Sequence, residues 1–397
     1  MKVLAAPMAD AHTERTDLNV LRGLAGLYMV IHHVWARYPV PVSGLGRALV
    51  ELGSSAPVLF FFATGAGYGL QAARRGPIAA STWKKAGLLL LADQLLNFWQ
   101  QRPIGLDFLG FIALSMIVLE WIARRERPVA VACTIASAAA AVRYVLGAQA
   151  VLGRLGLDGD GAAWFQLLVG ATGVNGLSYP PCPWLVYPLL GFAVARTAPA
   201  LGPRRTWVAL AAALLGSAAL TWLLARAGLV FFRWGTVSAA FFVLTFAVLS
   251  GSIAAALALV RLPRLAAALS LRGVAALVLV PLHYLCVELA AAFGRPPSGG
   301  AQLVLLGVPV AVVAFAGSKR AALAIQRMAG WPRSRALYLS ACAVAALCGW
   351  QLIPARGVPL EPFWAVACMA AGQLALCALL VWRWQASPAT APRTAAG

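Results

Sequence analysis

Two histidines and an arginine stand on one short apolar stretch, Asn19-Val20-Leu21-Arg22-Gly23-Leu24-Ala25-Gly26-Leu27-Tyr28-Met29-Val30-Ile31-His32-His33-Val34-Trp35. Arg22 and His33 are eleven residues apart, close to three helical turns. On a helix they share one face, about 16 Å apart along the axis. A guanidinium at one end of such a face is a fixed cation. An imidazole at the other end is a proton acceptor, because its unperturbed pKa lies at about 6.5. Two readings fit. The face lines a path across a membrane, or Arg22 snorkels to lipid phosphates and both histidines sit at the interface.

Other polar residues interrupt apolar runs in the same way. Asp93, Gln94, Asn97, Gln100 and Gln101 fall on one stretch, and positions 93, 97 and 100 or 101 follow helical spacing. Such a stripe lines a cavity or hydrogen-bonds between helices. Asp93 is the costliest of them in lipid and needs a partner, for which Arg22, Arg143 and the histidines are the candidates. His283 and Glu288 share a later stretch, where His283 reads either as a second catalytic group or as a hydrogen-bonded packing residue. Glu120 is expected to pair with nearby arginines. The chain has four histidines, His12, His32, His33 and His283. Its seven cysteines form no C-x-x-C pair and no metal-like spacing with histidine, so they read as small apolar packing residues and no metal is expected. There is no G-x-S-x-G elbow, P-loop or H-E-x-x-H.

The elements that position these residues follow from composition. Of 397 residues, 61% are hydrophobic and 11% charged, whereas soluble domains carry about a quarter charged residues. Lipid must therefore be the solvent for much of the surface. The expected fold is all-α, a polytopic membrane bundle of about 12 helices (10–12). Candidate spans of the required length lie at 19–36, 55–73, 84–101, 105–123, 128–149, 181–196, 206–226, 236–260, 271–293, 301–317, 336–353 and 362–383.

The basic residues test this parse. The net charge is +20, and Lys and Arg sit in short clusters between apolar runs. That is the pattern of cytoplasmic loops, and it argues against nucleic acid as the partner. With the N-terminus inside, 22 of the 32 basic residues fall in inside segments and eight outside, while Arg22 and Arg143 lie within spans. Both termini are then cytoplasmic, in a cytoplasmic (inner) membrane. Residues 1–18 form a cytoplasmic segment without the apolar core of a cleavable signal. Residues 19–383 form the membrane domain, and residues 384–397 a disordered tail rich in Ala, Pro and Thr. The longest outside segment runs from about Val151 to Pro180, and its stretch 162–173 is apolar enough to lie in the interface or re-enter. Trp184, just beyond, reads as an interface anchor or as part of a functional loop. Arg22, Arg74, Arg75, Lys84 and Lys85 would together make a basic inner mouth that attracts a phosphorylated ligand.

With these residues in place, the chain resembles the transmembrane acyltransferase superfamily, which includes acyltransferase-3, glucan-succinylating and heparan-α-glucosaminide N-acetyltransferase-like proteins. Asn19-Val20-Leu21-Arg22-Gly23-Leu24-Ala25 looks like that family's D-x-L-R-G-L-A, and Arg22 to His33 fits its R-x(10)-H spacing. Phe60-Phe61-Phe62-Ala63-Thr64-Gly65 resembles F-F-x-x-S-G. Leu106-Asp107-Phe108-Leu109-Gly110-Phe111-Ile112-Ala113-Leu114 is similar to L-D-x-L-x-x-I-G-x, Pro183-Trp184 through Gly191 to P-W-x(6)-G, and Leu277 to His283 to the late Y-L-x-H segment. The matches keep their order over residues 19–283. Three positions depart. Asn19 stands for the usual Asp, Lys84 and Lys85 are the nearest substitutes for a basic R-x-x-R pair, and no Tyr precedes His283 at the motif's spacing.

The resemblance implies an acyltransferase, of the class transferring groups other than amino-acyl groups. It would move an acyl group, acetyl being the first expectation, from cytoplasmic acyl-CoA to a hydroxyl or amine of an extracytoplasmic carbohydrate or glycolipid. In that reading His33 is the base, with Arg22, His32 and His283 as further catalytic candidates. Arg22, Arg74, Arg75, Lys84 and Lys85 hold the coenzyme, and Asp93, Asn97, Gln100, Asp107 and Trp184 face the substrate. Asn97 and Gln100 are the candidates for oxyanion donors. The alternative is a proton-coupled secondary transporter, in which Asp93, His33 and Glu288 relay protons or bind substrate.

Overall fold

The computed structural model describes residues 15–38, 40–41, 44–77, 79–99, 106–146, 169, 179–228, 238–293, 297–328 and 362–385. Every regular element among them is helical. In chain order these are α1 (Thr16–Arg37), α2 (Gly44–Ser54), α3 (Ala56–Arg75), α4 (Ala79–Trp99), α5 (Phe108–Ala123) and α6 (Pro128–Ala141), which runs on as a π-helical turn, Val142–Leu146. There follow α7 (Pro181–Trp184), α8 (Val186–Arg226), α9 (Ala239–Leu259), α10 (Pro263–Leu269), α11 (Gly273–Phe293), α12 (Gly300–Met328) and α13 (Pro362–Gln385). The protein is an all-α membrane bundle.

Seven described helices or helix pairs are long and apolar enough to cross a membrane: Gly46–Arg74, Pro128–Val145, Pro181–Gly202, Arg204–Arg226, Ala239–Leu259, Gly273–Ala292 and Gly300–Arg327. The expected count of 12 is therefore not reached among the described residues. Helices α1 and α4 fall short for a physical reason. Asn19, Arg22, His32 and His33 dilute α1, and Lys84, Lys85 and Asp93 charge α4. Two more apolar helices, Phe108–Ala123 and Val366–Leu380, are shorter. The expected spans 181–196 and 206–226 correspond to two crossing-length segments, Pro181–Gly202 and Arg204–Arg226, which meet at a kink within α8 at Gly202 with φ +73°. The expected span 336–353, the stretch 162–173 apart from Val169, the first 14 residues and the tail beyond Gln385 lie outside the described residues.

Local chemistry sets the helix ends. Pro57 opens α3 and Pro128 opens α6, at first-turn positions where no intrahelical N–H is needed. Asp107 caps α5, its Oδ1 accepting from the Phe108 N–H at 2.8 Å, and the Ser238 hydroxyl caps α9 by accepting from the Phe241 N–H at 3.2 Å.

Helix α1 is central. It packs against α2, α3, α9, α11 and α12, so the stretch bearing Arg22 and His33 is surrounded by protein on several sides. Helix α3 lies against α8 with almost no space between the backbones. A β-carbon on Gly65 would overlap the Pro188 carbonyl, and one on Gly191 would overlap the Phe62 carbonyl. Small residues permit this approach, the usual means of packing helices in lipid. Beside the crossing, Phe61, Phe111, Tyr179 and Trp184 form an aromatic cluster, with Phe61–Phe111 centroids 4.4 Å apart and Tyr179–Trp184 centroids 5.0 Å apart.

Candidate active site

Two cavities lie along α1. The larger, about 630 Å³, is lined by Arg22, Lys85 and Arg272, by the polar side chains of Thr64, Tyr68, Gln71 and Gln326, and by apolar residues of α3, α5 and α11. Its volume is within the range of small-molecule sites. The smaller, about 160 Å³, is lined by His32, His33, His283, Tyr284, Tyr179 and Asp107 among others. Phe60 and Phe108 belong to the walls of both. Their rings meet edge to face, centroids 5.3 Å apart, so a pair of aromatic rings separates a cationic chamber from an imidazole chamber.

The cationic chamber is built by α1, α4 and the turn before α11. Arg22 Nη1 donates to Asn19 Oδ1 at 2.8 Å, and the Asn19 carbonyl accepts from the Leu271 N–H at 3.0 Å. Asn19 thus aims the guanidinium and also ties α1 to the segment that carries Arg272. Gly67 leaves room for the guanidinium, since a β-carbon there would stand 3.0 Å from Arg22 Nη2. Arg74 and Lys84 are exposed and line neither chamber; of the five basic residues grouped from sequence, Arg22 and Lys85 line the larger chamber, where Arg272 joins them. Helical geometry explains the split, because adjacent residues point about 100° apart and only one of Lys84 and Lys85 can face inward. The Arg75 side chain lies outside the described ones.

In the imidazole chamber the hydrogen bonds assign the tautomers. His283 Nδ1 lies 3.0 Å from the Leu279 carbonyl, and His33 Nδ1 lies 2.8 Å from the Met29 carbonyl. A carbonyl only accepts, so each Nδ1 carries the proton. In the neutral ring each Nε2 is then an acceptor. His283 Nε2 lies 3.3 Å from His33 Nδ1, whose N–H it shares with Met29. Tyr284 Oη lies 3.0 Å from His33 Nε2 and donates to it. The basic nitrogen of His33 therefore points at a phenol, and His283 backs the opposite nitrogen. That is the base-plus-orienting-group arrangement of acid–base sites. His32 lines the same chamber, with its ring at right angles to that of His33.

Of the two readings of the Asp93 stripe, the structure shows Asp93 hydrogen-bonded between helices. It is fully buried and lines neither chamber. Its partners are not Arg22, Arg143 or a histidine. Asp93 Oδ2 accepts the Asp107 N–H at 2.8 Å and Asn97 Nδ2 at 3.2 Å. A carboxylate suits the first turn of a helix, where unpaired N–H groups and the macrodipole favour negative charge. Asp93 thus fastens the start of α5 to α4 and sets Asp107 and Phe108 in the chamber walls. Asn97 is likewise buried against Asp93 and lines neither chamber, so it is not placed to serve as an oxyanion donor. Gln100 lies outside the described residues. Trp184 is buried in the aromatic cluster and lines neither chamber.

Other expected polar residues form structural ties, and of these Glu120 reaches a chamber wall through Tyr68. Glu288 pairs with Arg37 at 3.1 Å. Arg143 Nη1 donates to the Val169 carbonyl at 3.3 Å. Glu120 pairs with Arg124 at 2.8 Å, as the sequence suggests, and also accepts from Tyr68 and Thr82. Arg272 and Tyr284 are functional candidates that sequence reasoning missed. The charge pattern reads Arg272 only as a loop cation, and Tyr284 only as an aromatic within a span. Among the described residues no group of three or more His, Cys, Asp or Glu could hold a metal ion. No family model, curated protein or solved structure matches the chain.

Proposed function

We propose that this chain is a membrane-bound acyltransferase. It takes an acyl group, acetyl first, from cytoplasmic acyl-CoA and passes it to a hydroxyl or amine of an extracytoplasmic carbohydrate or glycolipid. The observation that carries the reading is the pair of chambers meeting at Phe60 and Phe108. One offers three cations, Arg22, Lys85 and Arg272, suited to a polyphosphorylated donor. The other offers a neutral imidazole whose lone pair points at the chamber through a phenol. A thioester arm reaching from the first chamber past the aromatic pair brings its carbonyl to the second.

The chemistry then balances without a covalent intermediate. His33 Nε2 takes the proton of the acceptor hydroxyl or amine, and the acceptor's heteroatom attacks the thioester carbon. The tetrahedral oxyanion collapses, the carbon–sulfur bond breaks, and the His33 imidazolium returns its proton to the coenzyme thiolate. The products are an acyl ester or amide and free CoA. His283 Nε2, facing His33 Nδ1–H, supports the imidazolium while it exists. The basic Arg- and Lys-rich loops favour the cytoplasm, which supports a donor entering from that side.

The test uses membranes carrying the protein and radiolabelled acetyl-CoA. Label should enter membrane glycans or glycolipids, and His33→Ala should cut incorporation by about 10²–10⁴-fold, the usual worth of a positioned base. The His33→Ala protein should still bind acetyl-CoA saturably, because the cations are untouched. Full incorporation by His33→Ala refutes the mechanism. Wild-type protein that binds no acetyl-CoA refutes the enzyme, and proton-driven uptake of a solute would then favour a transporter.

A further inference from the structure

The lone pair of His33 does not open directly onto the chamber. The Met29 carbonyl, 2.8 Å away, fixes the proton on Nδ1, and Tyr284 Oη occupies the other nitrogen at 3.0 Å. The Tyr284 ring is held against both imidazoles, with centroids 4.7 Å from His33 and 4.2 Å from His283. His283 offers no second outlet, since its own Nδ1–H is committed to the Leu279 carbonyl and its Nε2 faces His33. Tyr284 and His33 both line the chamber, together with Asp107 and Tyr179.

The geometry points to Tyr284 as the group through which the acceptor's proton reaches His33. The inference rests on the acyl-transfer reading and adds a residue to it. The acceptor hydroxyl or amine donates to Tyr284 Oη. As its heteroatom attacks the thioester, its proton passes to Tyr284 Oη while the phenolic proton passes to His33 Nε2. The acceptor loses one proton, His33 gains one, and Tyr284 ends as it began. Two protons move in one step. On collapse of the tetrahedral intermediate the same relay runs in reverse toward the coenzyme thiolate. A phenol suits this work because its oxygen accepts and donates at once, a capacity the imidazole lacks at a single atom.

The experiment is a proton inventory on Tyr284→Phe. Membranes carrying wild type or variant are given radiolabelled acetyl-CoA, and initial rates of label transfer are followed across mixtures of H2O and D2O. Wild type should give a bowed plot, the signature of two protons in flight. Tyr284→Phe, which keeps the ring and its packing, should transfer about 10²-fold more slowly, at the low end for a lost proton-transfer group, with a straight plot. Its acetyl-CoA binding should equal that of wild type, which excludes a folding defect as the cause. A straight wild-type plot, or a variant as fast as wild type, overturns the relay and leaves acyl transfer standing. Failure of wild type to transfer label at all overturns both.

Discussion

Replacing Asp93 distinguishes a carboxylate that fastens a helix from one that meets a substrate. In the structure it fastens. Asp93 Oδ2 takes the Asp107 N–H at the first turn of α5, and Asn97 completes the tie. Asp93→Ala leaves that buried N–H unpaired, at about 1–3 kcal/mol. It also removes a negative group from the helix start, which adds about 0.3–1 kcal/mol. The expected loss is about 1–4 kcal/mol of stability, with some activity lost because the tie seats Asp107 and, next to it, Phe108 in the chamber walls. Asp93→Asn keeps an oxygen for the N–H and should cost much less. Gly110→Ala provides an independent check, because its β-carbon would overlap Asp93 Oδ2, and it should reproduce the alanine defect with Asp93 intact. Unfolding of purified protein in mixed micelles by added SDS measures all three. The tie is refuted if Asp93→Ala unfolds at the wild-type midpoint. If Asp93→Ala is as stable as wild type yet inactive, the carboxylate belongs to the chemistry.

Removing the chamber cations should weaken the donor selectively. Arg22→Ala, Lys85→Ala and Arg272→Ala should each raise the Kd for acetyl-CoA by about 10- to 150-fold, the worth of a charge-assisted hydrogen bond of about 1.5–3 kcal/mol, whereas Arg74→Ala and Lys84→Ala should leave it within twofold; equilibrium binding in detergent reads both. At the α3–α8 crossing, Gly65→Ala forces a β-carbon onto the Pro188 carbonyl and should destabilise by about 1–3 kcal/mol or more. Gly87→Ala in α4, with nothing within 4 Å of the new atom, should be neutral or stabilise by up to about 1 kcal/mol, and the same SDS titration compares the two.

The legible part of this molecule was its solvent and one helix. The scarcity of charge and the length of the apolar runs lead to a helical membrane bundle, and the eleven-residue spacing places Arg22 and His33 on the helix that runs past both chambers. What the sequence hides is every relation between helices. His283 lies 250 positions from His33, and no local pattern announces that their rings stand 4.6 Å apart. Asp93 reads as a group in search of a cation because side-chain partners are what a one-dimensional scan can pair. Its actual partner is a backbone N–H fourteen residues on, which carries no residue type. Arg272 sits in a loop by every local criterion, and the hydrogen bond from Leu271 to the Asn19 carbonyl, with the packing of α11 on α1, brings it to the chamber that Arg22 lines. The span count shows the converse effect. The residues that make α1 and α4 chemically interesting are the ones that lower their apolar content.

The glycine contacts between α3 and α8 set how one side of the aromatic partition is held. Carbonyls occupy the space that side chains would need on both sides of that crossing, so the two helices behave as a single plank and cannot be prised apart without breaking backbone packing. Phe60 rides on this plank. Phe108 opens α5, which packs along α4 and against α3 and is tied to α4 at its first turn by Asp93. Of the two rings of the partition, Phe60 therefore stands on a seam of backbone against backbone, and Phe108 on a helix seated by its side chains and its capped first turn.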